Sequence, residues 1–467
     1  MREIKIKTEP FKWLSIEKLK IHRQLNKHTE VFISGYIENE KQQTKYVAEC
    51  LSANTPLVIK AVDENKEEIV LFDGMVVDLD MKNQTDFVSL SVKAKSRTYL
   101  MDITPHIRTF QNSSMKDKDM LHILKNAYPK SGLIIKTNEN STMGEFTLQY
   151  KETDWEFLKR MASRRNSFLL PGDTSSGIKF FYGVPERAEH KVASDVEYSI
   201  KCDLSEYNEK TGNGLNDFFE IDSTGYVLER QREIYQIGDK VLFQGKTLYV
   251  YETICEYIDS VLLHTYYLRS KRGFKSNRTY NKKQIGVSLT AKVQKVQNDK
   301  VQVSVLNDEN TKHPVRTWFS FATVYSDPNG TGWYCMPEIG DTVRLYMPDD
   351  EEKNAFVISS VHLENGSRSN PEIKFLKTIH NKEIRFTPNS ITLTNNDGLK
   401  IMLLDGKGIL MESDKNISIC ADGNIDMTSA GGTITMMGAD AVSFAQGQTK
   451  LVVQDDIYFM GGKIKQQ

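Results

Sequence analysis

The stretch Ile401-Met402-Leu403-Leu404-Asp405-Gly406-Lys407-Gly408-Ile409-Leu410-Met411-Glu412-Ser413-Asp414-Lys415-Asn416-Ile417-Ser418-Ile419 repeats one pattern: an apolar pair two residues apart, then a polar or glycine-bearing corner, then another pair about eight residues on. The beat extends in both directions. It takes in Ile384/Phe386, Ile391/Leu393, Ile401/Leu403, Ile409/Met411, Ile417/Ile419, Ile425/Met427, Ile434/Met436, Val442/Phe444 and Ile457/Phe459. Spacing by two within each pair predicts a short strand with one buried face. Asn395-Asn396-Asp397-Gly398, Asp405-Gly406, Asp422-Gly423-Asn424 and Gly431-Gly432 supply the positive φ of tight corners. At roughly 3.3 Å per residue an octad spans only about 26 Å of contour, too little to close a coil by itself. Two architectures meet that constraint. Successive octads of one chain form the coils of a solenoid, or three chains each place one octad in every layer of a triple-stranded β-helix. A lone chain would complete only about three coils, leaving its ends open to edge pairing. The trimer is the expectation.

The rest of the composition fits a multi-domain globular chain. Of 467 residues, 39% are apolar and 10% aromatic, ample for real cores. A net charge of −1 gives no global basic field for nucleic acid or an anionic membrane. Within residues 410–462 the shaft is acidic, Lys415 and Lys450 standing against Glu412, Asp414, Asp422, Asp426, Asp440, Asp455 and Asp456. Cys50, Cys202, Cys255, Cys335 and Cys420 have no CxxC spacing and read as reduced, mostly buried thiols. A charged N-terminus without an apolar core region and the lack of any long apolar run predict folding in the cytoplasm without a signal peptide.

Ahead of the repeat the chain divides into two further regions. Residues 1–275 read as mixed α/β with strands dominating, including 57–61, 69–72 and 87–92, with Asp73-Gly74 as a turn signal. Helices are expected over 115–128 and from Thr153-Asp154-Trp155-Glu156, a capping box. The basic, aperiodic stretch 271–283 reads as a linker. Residues 285–363 hold five strand-like runs, at 286–293, 301–305, 317–324, 342–346 and 356–361, and so suggest a small barrel of the OB type.

No motif carries chemistry. Gly-x-Ser-x-Gly, His-Glu-x-x-His and Walker patterns are missing from the sequence, and its nine histidines do not pair at metal-ligand spacing. Gly212-Asn213-Gly214 reads as a turn, and Asp349-Asp350-Glu351-Glu352 as solvent-facing carboxylates.

Three stretches, in this order, carry a resemblance. They are Tyr150-Lys151-Glu152-Thr153-Asp154-Trp155-Glu156-Phe157-Leu158-Lys159-Arg160, Gly330-Thr331-Gly332-Trp333-Tyr334-Cys335-Met336-Pro337-Glu338-Ile339-Gly340-Asp341-Thr342-Val343, and the octads; Phe110-Gln111-Asn112-Ser113-Ser114-Met115 adds to them. The chain resembles the VgrG family of type VI secretion and the hub and spike proteins of contractile phage tails and tailocins. That resemblance implies a mainly β protein with an α/β hub. Hub barrel domains would occupy residues 1–275, a linker 276–284, an OB-type collar 285–363, a connector 364–383 and a trimeric triple-stranded β-helix needle 384–467.

The function implied is a structural, non-enzymatic spike that caps an inner tube as a homotrimer and pierces a target cell envelope. Its partners would be the tube protein beneath the hub, baseplate proteins and a PAAR-type tip protein, with no nucleic acid, cofactor or metal. The final octad residues Ile457, Phe459, Met460 and Gly461 are the expected tip contacts. About twenty residues between collar and needle leave no room for an inserted enzyme. The other readings are a trimeric receptor- or glycan-binding tail protein and a peptidoglycan hydrolase with its site in residues 1–275.

Overall fold

The computed structural model describes residues 4–37, 44–46, 55–83, 87–138, 140–193, 195–310, 312–362, 368–460 and 462–463, the side chains of 458–460 excepted. Two compact units result, Met1–Leu363 and Glu364–Gln467.

The first unit is organised by a twelve-stranded sheet. One half runs, in spatial order, Lys5–Glu9, Pro56–Val62, Glu68–Asn83, Val88–Ser96, Glu30–Ile37, Ser15–Gln24. The other continues through Lys246–Ile258, Val261–Arg269, Thr224–Gln231 and Tyr198–Cys202, with Lys240–Phe243 and Glu189–Lys191 alongside. Alternation decides the faces: in Val261–Arg269 it is Leu262, His264, Tyr266 and Leu268 that point inward and are buried. Each half has its own core, one around Leu19, Ile33, Ile59 and Phe72, the other around Leu228, Val241, Val250 and Tyr266. The antiparallel ladder of Ser15–Gln24 on Lys246–Ile258 joins them.

The expected helices are present, over Asp117–Asn126 and Asp154–Ser163. In the second, Thr153 accepts from the Glu156 N–H while the Glu156 side chain accepts from the Thr153 N–H, so the capping box satisfies two N-terminal donors. Its apolar face buries Trp155, Phe157, Leu158 and Met161, and Phe157 stacks on Phe110 at 5.4 Å.

Residues 288–360 form the barrel. Five strands, Ser288–Gln297, Lys300–Val305, Phe319–Ser320, Thr342–Tyr346 and Phe356–Ser360, lie in the order third, second, first, fourth, fifth. A parallel bridge between Phe321 and Val357 brings the two outer strands together and closes the sheet. The turn at 337–341 is fixed as its residues require: Gly340 takes φ +94° and Asp341 Oδ2 accepts from the Glu338 N–H at 2.9 Å.

Several expectations are corrected. Asp73-Gly74 is no turn but lies inside strand Glu68–Asn83, where a Cβ on Gly74 would sit 2.2 Å from the Phe72 ring, so the glycine answers to packing. Of the described cysteines only Cys255 is buried; Cys202, Cys335 and Cys420 are exposed, and Cys50 lies outside the described residues. Glu352 does not face solvent: it is 1% exposed because Arg160 and Arg164 enclose it. The stretch read as a linker is docked, Thr279 N–H on Ser163 Oγ and Asn281 Nδ2 on the Tyr150 carbonyl, both at 2.8 Å. The turn expected at Gly212-Asn213-Gly214 is present, and it closes a helix that was not foreseen, Leu204–Gly212, whose signal was Asp203 accepting from the Glu206 N–H.

Candidate assembly interface

In the second unit, strands Lys374–Lys377, Glu383–Thr387, Ser390–Thr394, Leu399–Leu404 and Gly408–Ser413 form an antiparallel meander in chain order. Corners at Asn396, Gly398, Gly406 and Gly408 all have positive φ. The register stacks the octad pairs into two columns on one face. Ile384 opposes Leu393, Leu393 opposes Ile401 and Ile401 opposes Met411; beside them run Phe386, Ile391, Leu403 and Ile409.

Successive octads are therefore neighbours. A single-chain coil would instead place every third octad side by side, so the solenoid reading fails for residues 383–413. These eight side chains lie open on the lone chain, from 36% exposed at Ile384 to 73% at Ile409. A contiguous apolar surface of this kind marks an interaction site. The face also extends one strand further than the sequence reading had it, because Leu376, 45% exposed, opposes Ile384.

Beyond Ser413 the pattern continues without a ladder. Ile417, Ile419, Ile425, Met427, Ile434 and Met436 were expected in strands, yet no strand covers residues 414–441 and all six are exposed. The physical reason is pairing: a strand exists only where its N–H and C=O groups find partners, and within one chain this segment has no neighbour to supply them. Strands resume at Val442–Gln446, Thr449–Val453 and Ile457–Met460, where Phe444 opposes Leu451 and Leu451 opposes Phe459. Leu451 and Val453 belong to this alternation and were missed, although their spacing of two was visible. Of the expected tip contacts, Ile457 is 63% exposed. The side chains of Phe459 and Met460, and Gly461 altogether, lie outside the described residues.

At the base of the meander Glu383 is buried between Arg385 Nε and Asn396 Nδ2, the latter at 2.9 Å. The hydrogen bond from Arg385 holds its carboxyl below the usual value. This charge is satisfied within the chain, unlike the apolar face beside it.

The barrel and the preceding part of the first unit are joined by buried polar groups. Arg160 donates Nε and Nη2 to the two oxygens of Glu152 at 2.8 and 2.7 Å, and Nη1 to Glu352 of the barrel at 2.6 Å. Arg164 Nη2 takes the other Glu352 oxygen at 3.2 Å. Burial pushes the Glu152 carboxyl up, against the opposing pull of Arg160. The Asp308 carboxylate also accepts from the Thr109 N–H and hydroxyl, and Gln111 Nε2 donates to the Val303 carbonyl at 3.0 Å. Phe146 and Leu148, from outside the barrel, complete its apolar core. Among the described residues no group of three or more His, Cys, Asp and Glu side chains is placed to hold a metal ion. No described helix is long and apolar enough to cross a membrane.

Comparison with known proteins agrees with this geometry. Residues 289–362 match the family of the type VI secretion system/phage-baseplate injector OB domain. No curated protein matches the chain by sequence. Among solved structures, the E. coli c3393 protein, described as a component of the type VI secretion system similar to T4 tail proteins gp27 and gp5, aligns at TM-score 0.53 and 11% identity, over 77% of this chain and 100% of that one. A chain of the Francisella PdpA-VgrG complex in its half-lidded form aligns at TM-score 0.57 and 12% identity, over 88% of each chain. The lidless form of that complex gives TM-score 0.57 and 12% identity, over 88% of this chain and 98% of that one. Residues 289–362 are thus an injector OB domain of the type VI secretion and phage-baseplate kind, and the chain as a whole shares its fold with these type VI and VgrG-complex structures.

Proposed function

We propose that the protein is a structural spike of a contractile injection machine, in which three copies assemble through the apolar faces of residues 374–460. The observation that supports this best is the tail of the single chain. Its aligned columns at Ile384–Met411 are open, and its continuation over 414–441 repeats the same pairs without a strand partner. Three meanders turned inward would enclose the columns, and neighbouring copies would give the unpaired segment its ladder. Chains that share a ladder over 414–441 cannot unravel one at a time and so unfold slowly, as a puncturing shaft requires.

In this reading the hub caps the inner tube, the OB barrel is the collar, and the end around Ile457 seats a PAAR-type tip protein. The Glu152–Arg160–Glu352 contact fixes hub to barrel without a hinge. The OB-domain match supports a structural role in a tail or baseplate.

The deciding experiment is native mass measurement of the full chain and of a form lacking residues 374–467. A trimer that resists SDS, and loses that resistance with the deletion, is expected. A stable full-length monomer would overturn the reading.

A further inference from the structure

The two halves of the twelve-stranded sheet keep separate cores, and a cavity of about 420 Å³ lies over the ladder that joins them. Its size is within the range of small-molecule sites, about 300–1,000 Å³. Register builds the floor. Cys255 is opposed by Ile21 on one side and His264 on the other, and Thr253 by Arg23, so these five side chains stand on one face at the seam. A small sheet of strands Gly132–Ile135, Leu169–Gly172 and Lys179–Tyr182 supplies a wall. We propose that this cavity binds a small carboxylate with an apolar body, of the medium-chain fatty acid class.

The charges in the lining call for an anion. Arg23, Lys179 and Arg187 line the cavity, and among the described residues Asp173 is the only carboxylate beside them. Asp173 is already engaged, its Oδ2 accepting from Arg23 Nε at 2.7 Å. Arg23 Nη2 donates to the Leu71 carbonyl, and Nη1 has no partner among the described residues. Lys179 Nζ donates to the Ser175 hydroxyl at 3.1 Å, and Arg187 Nη1 to the Gln236 side chain, with the guanidinium 5.1 Å over the Phe181 ring. Asp239 acts on Arg187 only through space, being held by His190 Nε2 at 2.9 Å and the Gln236 N–H at 2.8 Å. Lys179 and Arg187 therefore have neutral partners where a carboxylate would fit.

A buried nitrogen points to the same ligand. His264 is 5% exposed and its Nε2 meets no partner, an uncommon state for a buried polar atom. The ring is held parallel to that of Tyr266, with centroids 5.7 Å apart. As the Nε2–H tautomer, the neutral ring donates to a carboxylate oxygen. The rest of the lining asks for hydrocarbon. Ile69, Ile134 and Ile234 belong to it and are 52%, 49% and 41% exposed, so an apolar body seated there covers surface that the chain leaves open. All of these groups belong to one chain, and the site is complete in a single copy.

Titration calorimetry of the full-length protein with decanoate, decan-1-ol and decyltrimethylammonium, each below its aggregation limit, tests the proposal without altering the chain. Decanoate should bind at one site per chain with a Kd below about 1 mM. The neutral and cationic analogues should bind about ten- to a hundredfold more weakly, the worth of one charge-assisted hydrogen bond. Arg187→Gln and Ile134→Glu, both at exposed positions, should weaken decanoate by a similar factor while the thermal midpoint stays that of the wild type. Equal affinity for the three compounds overturns the recognition of an anion. Decanoate binding that neither variant changes lies elsewhere and overturns the site, and no binding up to about 1 mM overturns the proposal outright. Oligomeric state does not enter these readouts. A monomer by native mass, fatal to the three-copy reading, would leave this site standing.

Discussion

Replacing Ile401 with Asp tests the tail most directly, because the single chain and the assembly respond to it differently. Ile401 sits between Leu393 and Met411 and is 44% exposed in one chain. Full burial of an isoleucine contributes about 1.5–3 kcal/mol, so covering the open fraction contributes about 1 kcal/mol per copy and about 3 kcal/mol per layer of three. The aspartate forfeits that and adds three carboxylates without partners, each costing several kcal/mol in an apolar layer. The total is on the order of 10 kcal/mol per trimer, or about seven decades in the association constant. In the lone chain the same position is half open, so the folding of the first unit should not change. Sedimentation or native mass measurement, with SDS-gel mobility at room temperature, reads the outcome. Thr392→Asp, on the opposite face of the same meander, is the control and should leave the trimer intact. An Ile401→Asp protein that trimerises at the wild-type concentration and resists SDS, or a Thr392→Asp protein that dissociates in its place, would refute the assignment of the inward face.

Three further outcomes concern the first unit. Glu352→Ala leaves Arg160 and Arg164 short of a buried partner and should lower stability by about 3–5 kcal/mol, read as a lower denaturant midpoint at unchanged slope. Gly74→Ala places a Cβ 2.4 Å from the Lys95 carbonyl as well as against the Phe72 ring, and should cost about 1–3 kcal/mol in the same assay. Burial, reinforced by Arg23, lowers the His264 pKa to about 4, so the folded protein keeps a neutral ring where the unfolded chain takes up a proton near pH 6.5. The unfolded state then binds more protons between those values, and stability falls as pH drops through that window, by about 2 kcal/mol from pH 7 to pH 5. His264→Gln should flatten this part of the profile, and an unchanged slope would count against the buried neutral ring.

Much of the first unit was legible because its signals are local. The capping box at Thr153–Glu156 and the alternation of the barrel strands depend on neighbours a few residues away. Asp73-Gly74 misled because the same dipeptide that makes a turn also permits close packing within a strand, and only the position of the Phe72 ring distinguishes the two. Glu352 misled because a run of carboxylates is ordinarily solvated, while Arg160 and Arg164 lie far away in sequence. The meander was half legible. The octad beat gave the faces, but not which octads are neighbours, and this is the information that separates a coil from a flat wall.

By itself the sequence determined the period of the tail, its apolar side and its corners, since strand alternation and positive-φ turns are properties of residues close together in the chain. It also determined the five-run pattern of the barrel and the absence of any recognisable catalytic motif. Tertiary structure alone decided that octads pair in sequence order, that the barrel is fastened to the preceding part of the first unit through buried charges, and that among the described residues Lys5–Glu9 and Tyr198–Cys202 lie at the two ends of the twelve-stranded sheet. The reason is common to all three. Each depends on which distant backbone or charged group meets which, and a buried charge or an unpaired N–H is stabilised only by a partner that folding brings to it.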